Sequence, residues 1–137
     1  MSRPVAIVGI GLTRFGERWE SSLRNLITEA GLAALQDCKV SGEEIDELYV
    51  GSMSPGQFTN QELVAPLVLD SAGLADTHIP TTRVEGAGAS GGLALRQAYL
   101  SIASGHADVA IAGGVEKMTD VPEKDVTRIL GAASDQE

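Results

Sequence analysis

Arg83-Val-Glu-Gly-Ala-Gly-Ala-Ser-Gly-Gly92 separates two stretches of different character. Before and into it, Thr81 to Glu85 is rich in β-branched residues and reads as a short strand. After it, Leu93 to Ser104 repeats apolar residues at helical spacing, and the stretch beyond Ala89 reads as a helix. The intervening glycines suit a tight strand-to-helix turn where backbone comes close to something else. Amides of a helix's first turn have no partner within the helix. Such a turn is therefore a natural seat for an anion or a reacting carbonyl.

The flanking chain alternates strand and helix signals. Val5-Ala-Ile-Val-Gly-Ile10 is a near-continuous apolar run, as expected of a strand buried on both faces. Gly9 and Gly11 follow, but the next glycine is Gly16, so the dinucleotide spacing is not met there. Ser21 or Ser22 caps a helix whose Leu23, Leu26, Ile27, Ala30, Ala34 and Cys38 share one face. Cys38 accordingly reads as a small buried hydrophobe. Ser41 to Glu44 has capping-box spacing, and Glu47 to Met53 reads as a second strand broken by Ser54-Pro-Gly56. Asn60 can cap a helix running to Ala72, in which Pro66 predicts a kink or a late start and Gly73 the end. The helix after the glycine turn places Leu95, Tyr99, Ile102 and Ala103 on one face and stops at Gly105. Asp108 to Gly114 reads as a fourth strand, and a polar helix follows from Glu123 to Leu130. This order predicts an α/β fold: a mostly parallel sheet with helices on both faces.

Composition narrows the function. With 137 residues the chain holds one domain at most, and its aromatic content of 4% leaves the core to Ala, Val, Leu and Ile. Ten basic against 19 acidic residues give a net charge of -9, which argues against nucleic acid as a partner. One anionic small ligand needs only a local Arg or Lys and some amides, and is not excluded. No apolar run reaches membrane-spanning length and the N-terminus lacks a signal-peptide pattern, so neither membrane nor secretion is expected. The single cysteine rules out an internal disulfide and fits a reducing compartment, so a cytoplasmic location is expected. No metal site is read from the sequence.

Two chemistries compete for residues 85–92. Gly86-Ala-Gly88-Ala-Ser-Gly91 matches G-x-G-x-x-G, but dinucleotide binding needs an acidic residue about 20 positions on, at the end of the next strand. Asp108 stands at the start of that strand and Glu116 beyond its end. The second reading rests on Gly114-Val-Glu-Lys-Met-Thr119, which resembles the Gly-Gly-x-Glu-x-Met-Ser/Thr signature of the thiolase family. Arg83-Val-Glu85 followed by Ala89-Ser-Gly-Gly92 is similar to that family's nucleophile segment. Val8-Gly-Ile-Gly-Leu-Thr-Arg-Phe-Gly16 is similar to its N-terminus, especially in the archaeal and sterol-carrier-like branch.

The resemblance implies a partial thiolase N-terminal domain over residues 1–119 and the start of a loop region over 120–137, incomplete at the C-terminus. It implies acyl transfer or Claisen condensation on coenzyme A thioesters through an acyl-cysteine. Coenzyme A thioester is then a substrate, and no covalently bound cofactor is implied. The cysteine position maps to Gly88, which has no side chain to carry a thioester, and the family's second catalytic half is absent. The chain alone is therefore expected to be inactive: a fragment, one subunit of a split enzyme, or a non-catalytic paralogue that holds acyl-CoA or a partner. The family pairs through the strand at Thr81 to Glu85, implying a homodimer or a complementary thiolase chain. Arg14, Arg83, Arg96, Lys117 and Arg128 are possible partners of a coenzyme A phosphate, with solvated surface charge as the plainer reading. Glu85 and Glu116 are read as loop-orienting residues, Ser90 as a capping group, and His78 and His106 as solvated loop residues.

Overall fold

A computed structural model describes residues 3–137. Five helices and three strands follow in the order α1 (Leu23–Cys38), β1 (Glu47–Gly51), α2 (Pro55–Thr59), α3 (Ala65–Ala72), β2 (Thr81–Val84), α4 (Ser90–Ser104), β3 (Ala110–Gly114) and α5 (Glu123–Gly131). The sheet is wholly parallel in the order β2-β1-β3, with Leu48 opposite Thr81 on one side and Ile111 on the other. Strand alternation sends Leu48 and Val50 into a core shared with Leu23 and Ile27 of α1 and Val68 and Leu69 of α3. The opposite face carries α4. Helices thus cover both faces, as the alternation predicts.

Local signals set most boundaries. Ser22 accepts from the N–H of Asn25 at 3.1 Å and starts α1. Ser41 donates to Glu44 from both its N–H and its hydroxyl, each at 2.9 Å. Pro66 brings a late start, because α3 begins only at Ala65 and ends at Gly73, whose φ of 74° is left-handed. Asn60 does not cap that helix; at φ 57° it closes the single turn α2 instead. Gly105, at φ 81°, ends α4.

Three expectations are corrected. Val5 to Ile10 forms no strand: it runs as extended chain without ladder partners, and Ile7, Val8 and Ile10 are exposed. Among the described residues no strand lies beside it, and it lines a cavity together with β3. In α4 the buried stripe is Ser90, Ala94, Ala98 and Ser101, while Leu95 and Tyr99 are about half exposed. Small residues win that face because the helix rides directly on the sheet. Within this chain the helix packs against one sheet. Cys38 is only half-buried, its thiol donating to the carbonyl of Leu35 at 3.5 Å.

Candidate functional site

The C-terminal ends of the three strands converge on one edge, where Ser52–Ser54, Glu85–Ala89 and Val115–Thr119 leave the sheet. In parallel α/β sheets ligands collect at this edge. The first turn of α4 can reach it because three glycines meet there. A Cβ on Gly51 would lie 2.3 Å from the carbonyl oxygen of Ser90, and one on Gly114 would lie 3.1 Å from the Cα of Gly91.

The turn before α4 is held by side chains on both sides of one residue. Ala87 has φ 50°, a left-handed conformation that costs a residue with a Cβ about 1 kcal/mol or more. Its N–H donates to the Glu85 carboxylate and its carbonyl accepts from the Ser90 hydroxyl at 2.7 Å. The Ser90 oxygen in turn accepts from the N–H of Gly86 at 3.0 Å. Ser90 is buried and engaged as donor and acceptor, so it closes the turn and is not poised as a nucleophile. A 3-10 turn, Ala87–Ala89, then feeds α4.

Gly88 stands at the exposed tip. No atom lies within 4 Å of where its Cβ would be, and its backbone is not in the left-handed region. The fold therefore does not require glycine here. A side chain would project freely at the N-terminal end of a 15-residue helix.

Glu116 ties the neighbouring loops together. Its Oε2 accepts from the N–H of Met53 at 2.7 Å, and its Oε1 lies 3.4 Å from both the Ser52 hydroxyl and the Ser54 N–H. From the other side, Arg83 donates to the carbonyl of Ser52 at 3.2 Å and stands 3.8 Å from Glu62. The segment 52–54 is clamped between an acid on the β3 loop and a base on β2. The 63-residue separation of Glu116 and Met53 left no local sequence signal for this link.

The remaining candidates scatter. Lys117 is buried and paired with Asp120 at 2.6 Å and with the Thr119 hydroxyl, so it is committed internally. Arg128 lies beside Asp125 and Gln57 on α5. Arg14 and Arg96 are exposed and line a large apolar cavity. His106 sits 3.4 Å from Glu47 at the opposite end of the sheet, and His78 closes a 3-10 turn at Ala75–Thr77. Asp108 pairs with Arg3 at 2.7 Å, also at the far end. Of the two acidic residues weighed for a dinucleotide site, Asp108 thus lies at the far end, and the Glu116 carboxylate is engaged by residues 52–54. Among the described residues no group of three or more His, Cys, Asp or Glu side chains is placed to hold a metal ion. No helix among them is long and apolar enough to cross a membrane.

The sequence matches the family model of the thiolase N-terminal domain over residues 5–136. The chain belongs to the thiolase family. It is 56% identical over 135 residues to an acetyl-CoA acetyltransferase of Methanocaldococcus jannaschii, covering 98% of this chain and 33% of that protein. A protein of the same name from Methanothermobacter thermautotrophicus is 54% identical over 135 residues, with 98% of this chain and 34% of the relative covered. A benzoylsuccinyl-CoA thiolase subunit of Thauera aromatica is 36% identical over 120 residues, 87% of this chain and 29% of the relative. The chain thus spans about one third of the length of these relatives. The small parallel sheet with its helices is consistent with a thiolase N-terminal domain.

Proposed function

We propose that this chain is the N-terminal segment of an acyl-CoA C-acyltransferase, with Gly88 at the position of the nucleophile. The observation that carries the reading is the geometry at Gly88: an exposed tip, open space for a side chain, and the first turn of α4 behind it. A thiol there would face the positive end of a helix, which favours thiolate. The names of the relatives supply the substrate class, acyl-CoA. Coenzyme A thioester is then a substrate that meets the edge where the three strands end, and no covalently bound cofactor is needed.

By the same reading the chain alone carries out no thiolysis or condensation. Gly88 offers no atom to form a thioester, and the only cysteine, Cys38, lies on α1 with its thiol bonded to Leu35. We divide the chain into a domain segment, 1–119, and the start of a loop region, 120–137. Pairing through the outer edge of β2 with a second copy or a complementary chain, in the cytoplasm, completes the proposal. The open edge of a strand at the end of a sheet supports it.

An acetoacetyl-CoA thiolysis assay tests the inactive reading directly, because measurable turnover by the chain alone would sink it. A Gly88→Cys variant supplied with the rest of a thiolase polypeptide should gain an acyl-enzyme mass adduct. Coenzyme A binding without an adduct would favour the second reading, a non-catalytic acyl-CoA-binding or assembly subunit. Calorimetry with NAD addresses the dinucleotide alternative, for which heat of binding is the supporting result.

A further inference from the structure

Among the described residues, four that are not glycine take a left-handed backbone: Lys39, Asn60, His78 and Ala87. The first three each close a helix or a 3-10 turn, the ordinary place for that conformation. Ala87 instead opens one, at the start of the 3-10 turn that feeds α4. It carries backbone strain with no helix end to explain it, one position before the tip at Gly88. Such strain calls for a reason within the site.

The reason lies in what this conformation holds in place. With φ at 50°, the N–H of Ala87 donates to the Glu85 carboxylate. Ser90 secures the other side of the same residue, donating to its carbonyl at 2.7 Å and accepting from the N–H of Gly86 at 3.0 Å. A glutamate side chain on the surface is otherwise free to sweep through solvent. Here it stays at the turn, although the residue is exposed.

The charge so fixed is not neutralised. Arg83 is turned to the Ser52 carbonyl and to Glu62, and Lys117 to Asp120 and Thr119. Glu85 takes part in none of the ion pairs among the described residues. Glu116, the other carboxylate at this edge, is directed to the N–H of Met53. A reactant entering the open space at residue 88 therefore meets the Glu85 charge beside the tip.

We propose that Glu85 is a specificity-determining residue: its carboxylate, fixed against Ala87, admits uncharged acyl thioesters to residue 88 and repels acyl groups that carry a carboxylate. The inference deepens the reading of residue 88 as a nucleophile position and rests on it. By itself the N-terminal end of α4 would draw any anion, charged reactants included. Glu85 sets a repulsive charge against that attraction, and specificity follows from penalising the wrong partner.

Two reagents of similar size test this on the chain itself. In a Gly88→Cys variant the thiolate displaces iodide from neutral iodoacetamide or from anionic iodoacetate. Site-resolved mass spectrometry separates residue 88 from Cys38. The ratio of the two rates at one pH cancels the thiolate fraction, so it reads the field felt by the incoming reactant. A purely structural role for Glu85 would not move it. Glu85→Gln keeps an oxygen that can accept from Ala87 and removes the charge. It should raise the iodoacetate-to-iodoacetamide ratio about threefold, the effect of one unit charge acting across several ångströms of water-like surroundings. Glu43→Gln removes an exposed charge that precedes β1, at the opposite end of the sheet, and should leave the ratio unchanged. With Glu85 in place, salt at about 1 M should lift the ratio toward the Glu85→Gln value, because charges are then screened beyond about 3 Å.

A ratio that Glu85→Gln does not move overturns the proposal. So does a ratio that Glu43→Gln moves equally, which assigns the effect to the net charge of -9. If Glu85→Gln fails to fold, the salt series decides: a ratio flat between about 0.05 M and 1 M overturns the proposal. Failure of an acyl adduct at residue 88 would sink the nucleophile reading and leave these reagent ratios as measured, so the two readings fail separately.

Discussion

Gly51 and Ser90 are in backbone contact: a Cβ on Gly51 would lie 2.3 Å from the carbonyl oxygen of Ser90. This contact seats the start of α4 on the centre of the sheet and so places the glycine turn. Neither backbone can retreat cheaply, because β1 is paired on both sides and α4 packs along its length. Gly51→Ala should therefore cost about 2 kcal/mol or more by overpacking, whereas Gly88→Ala should stay within about 0.5 kcal/mol. Urea denaturation of the two variants checks the contrast. Equal effects would mean that the contact does not constrain the helix.

The left-handed turn at Ala87 gives a second test. Ser90→Ala removes the hydroxyl that bonds both Gly86 and Ala87, and should destabilise the chain by about 1–2 kcal/mol. Part of that hydroxyl's role is to hold Ala87 in a conformation that alanine resists. In an Ala87→Gly background the same change should cost about 0.5–1 kcal/mol less. A double-mutant cycle that sums additively would show that the strain at Ala87 and the Ser90 hydroxyl are independent.

Much of this arrangement was legible in the chain, but unevenly. The glycine turn, the capping serines and the strand-helix alternation are local chemistry, and the elements formed close to the expected positions. Val5–Ile10 was different: an apolar run says that side chains seek burial, without saying what will bury them, and here it stands outside the three-stranded sheet. In α4, Leu95 and Tyr99 drew attention by size, while Ala94, Ala98 and Ser101 did the packing. A stripe of small residues at spacings of three and four was the available signal for close helix-sheet contact. Asn60 was misread because a short polar residue before an apolar stretch serves equally to begin one helix or to end another. The clamp on residues 52–54 joins positions far apart in sequence, and only the folded sheet brings them together.

That clamp predicts a measurable loss. Glu116→Ala removes a carboxylate that accepts from Met53 and stands near Ser52 and Ser54, leaving their polar groups short of a partner. The expected cost is about 1.5–3 kcal/mol, with Glu116→Gln intermediate because the amide keeps one acceptor. An unchanged urea midpoint for Glu116→Ala would show that water replaces the carboxylate without loss.

Acid sensitivity should trace in part to Asp46. Hydrogen bonds from the N–H groups of Val109 and Asp108 hold its carboxylate below the usual range. A group whose pKa is lowered by folding stabilises the fold above its unfolded value. That stability is lost as pH falls below about 4 and through the lower folded value. Asp46→Asn should therefore flatten the stability profile below about pH 4 relative to the unaltered chain, leaving the slope near pH 7 unchanged. Parallel profiles in acid would remove Asp46 as a contributor. Glu29 beside Arg18 and Glu44 beside Ser41 are lowered in the same direction, so the variant should reduce the acid slope and not abolish it.

The position of Gly88 makes the sharpest chemical prediction. A Gly88→Cys thiol would stand free at the N-terminal end of α4, where the helix favours negative charge. A Gly131→Cys thiol would stand equally free of contacts, but at the C-terminal end of α5, where the helix disfavours it. The two differ in electrostatic setting more than in access, so alkylation by iodoacetamide across a pH series compares their pKa values. The thiol at 88 should titrate at least about one pH unit below the thiol at 131, with site-resolved mass spectrometry separating both from Cys38. Equal midpoints would mean that the turn does not favour an anion. The reading of residue 88 as a nucleophile position would then lose its physical basis, whatever the sequence resemblance.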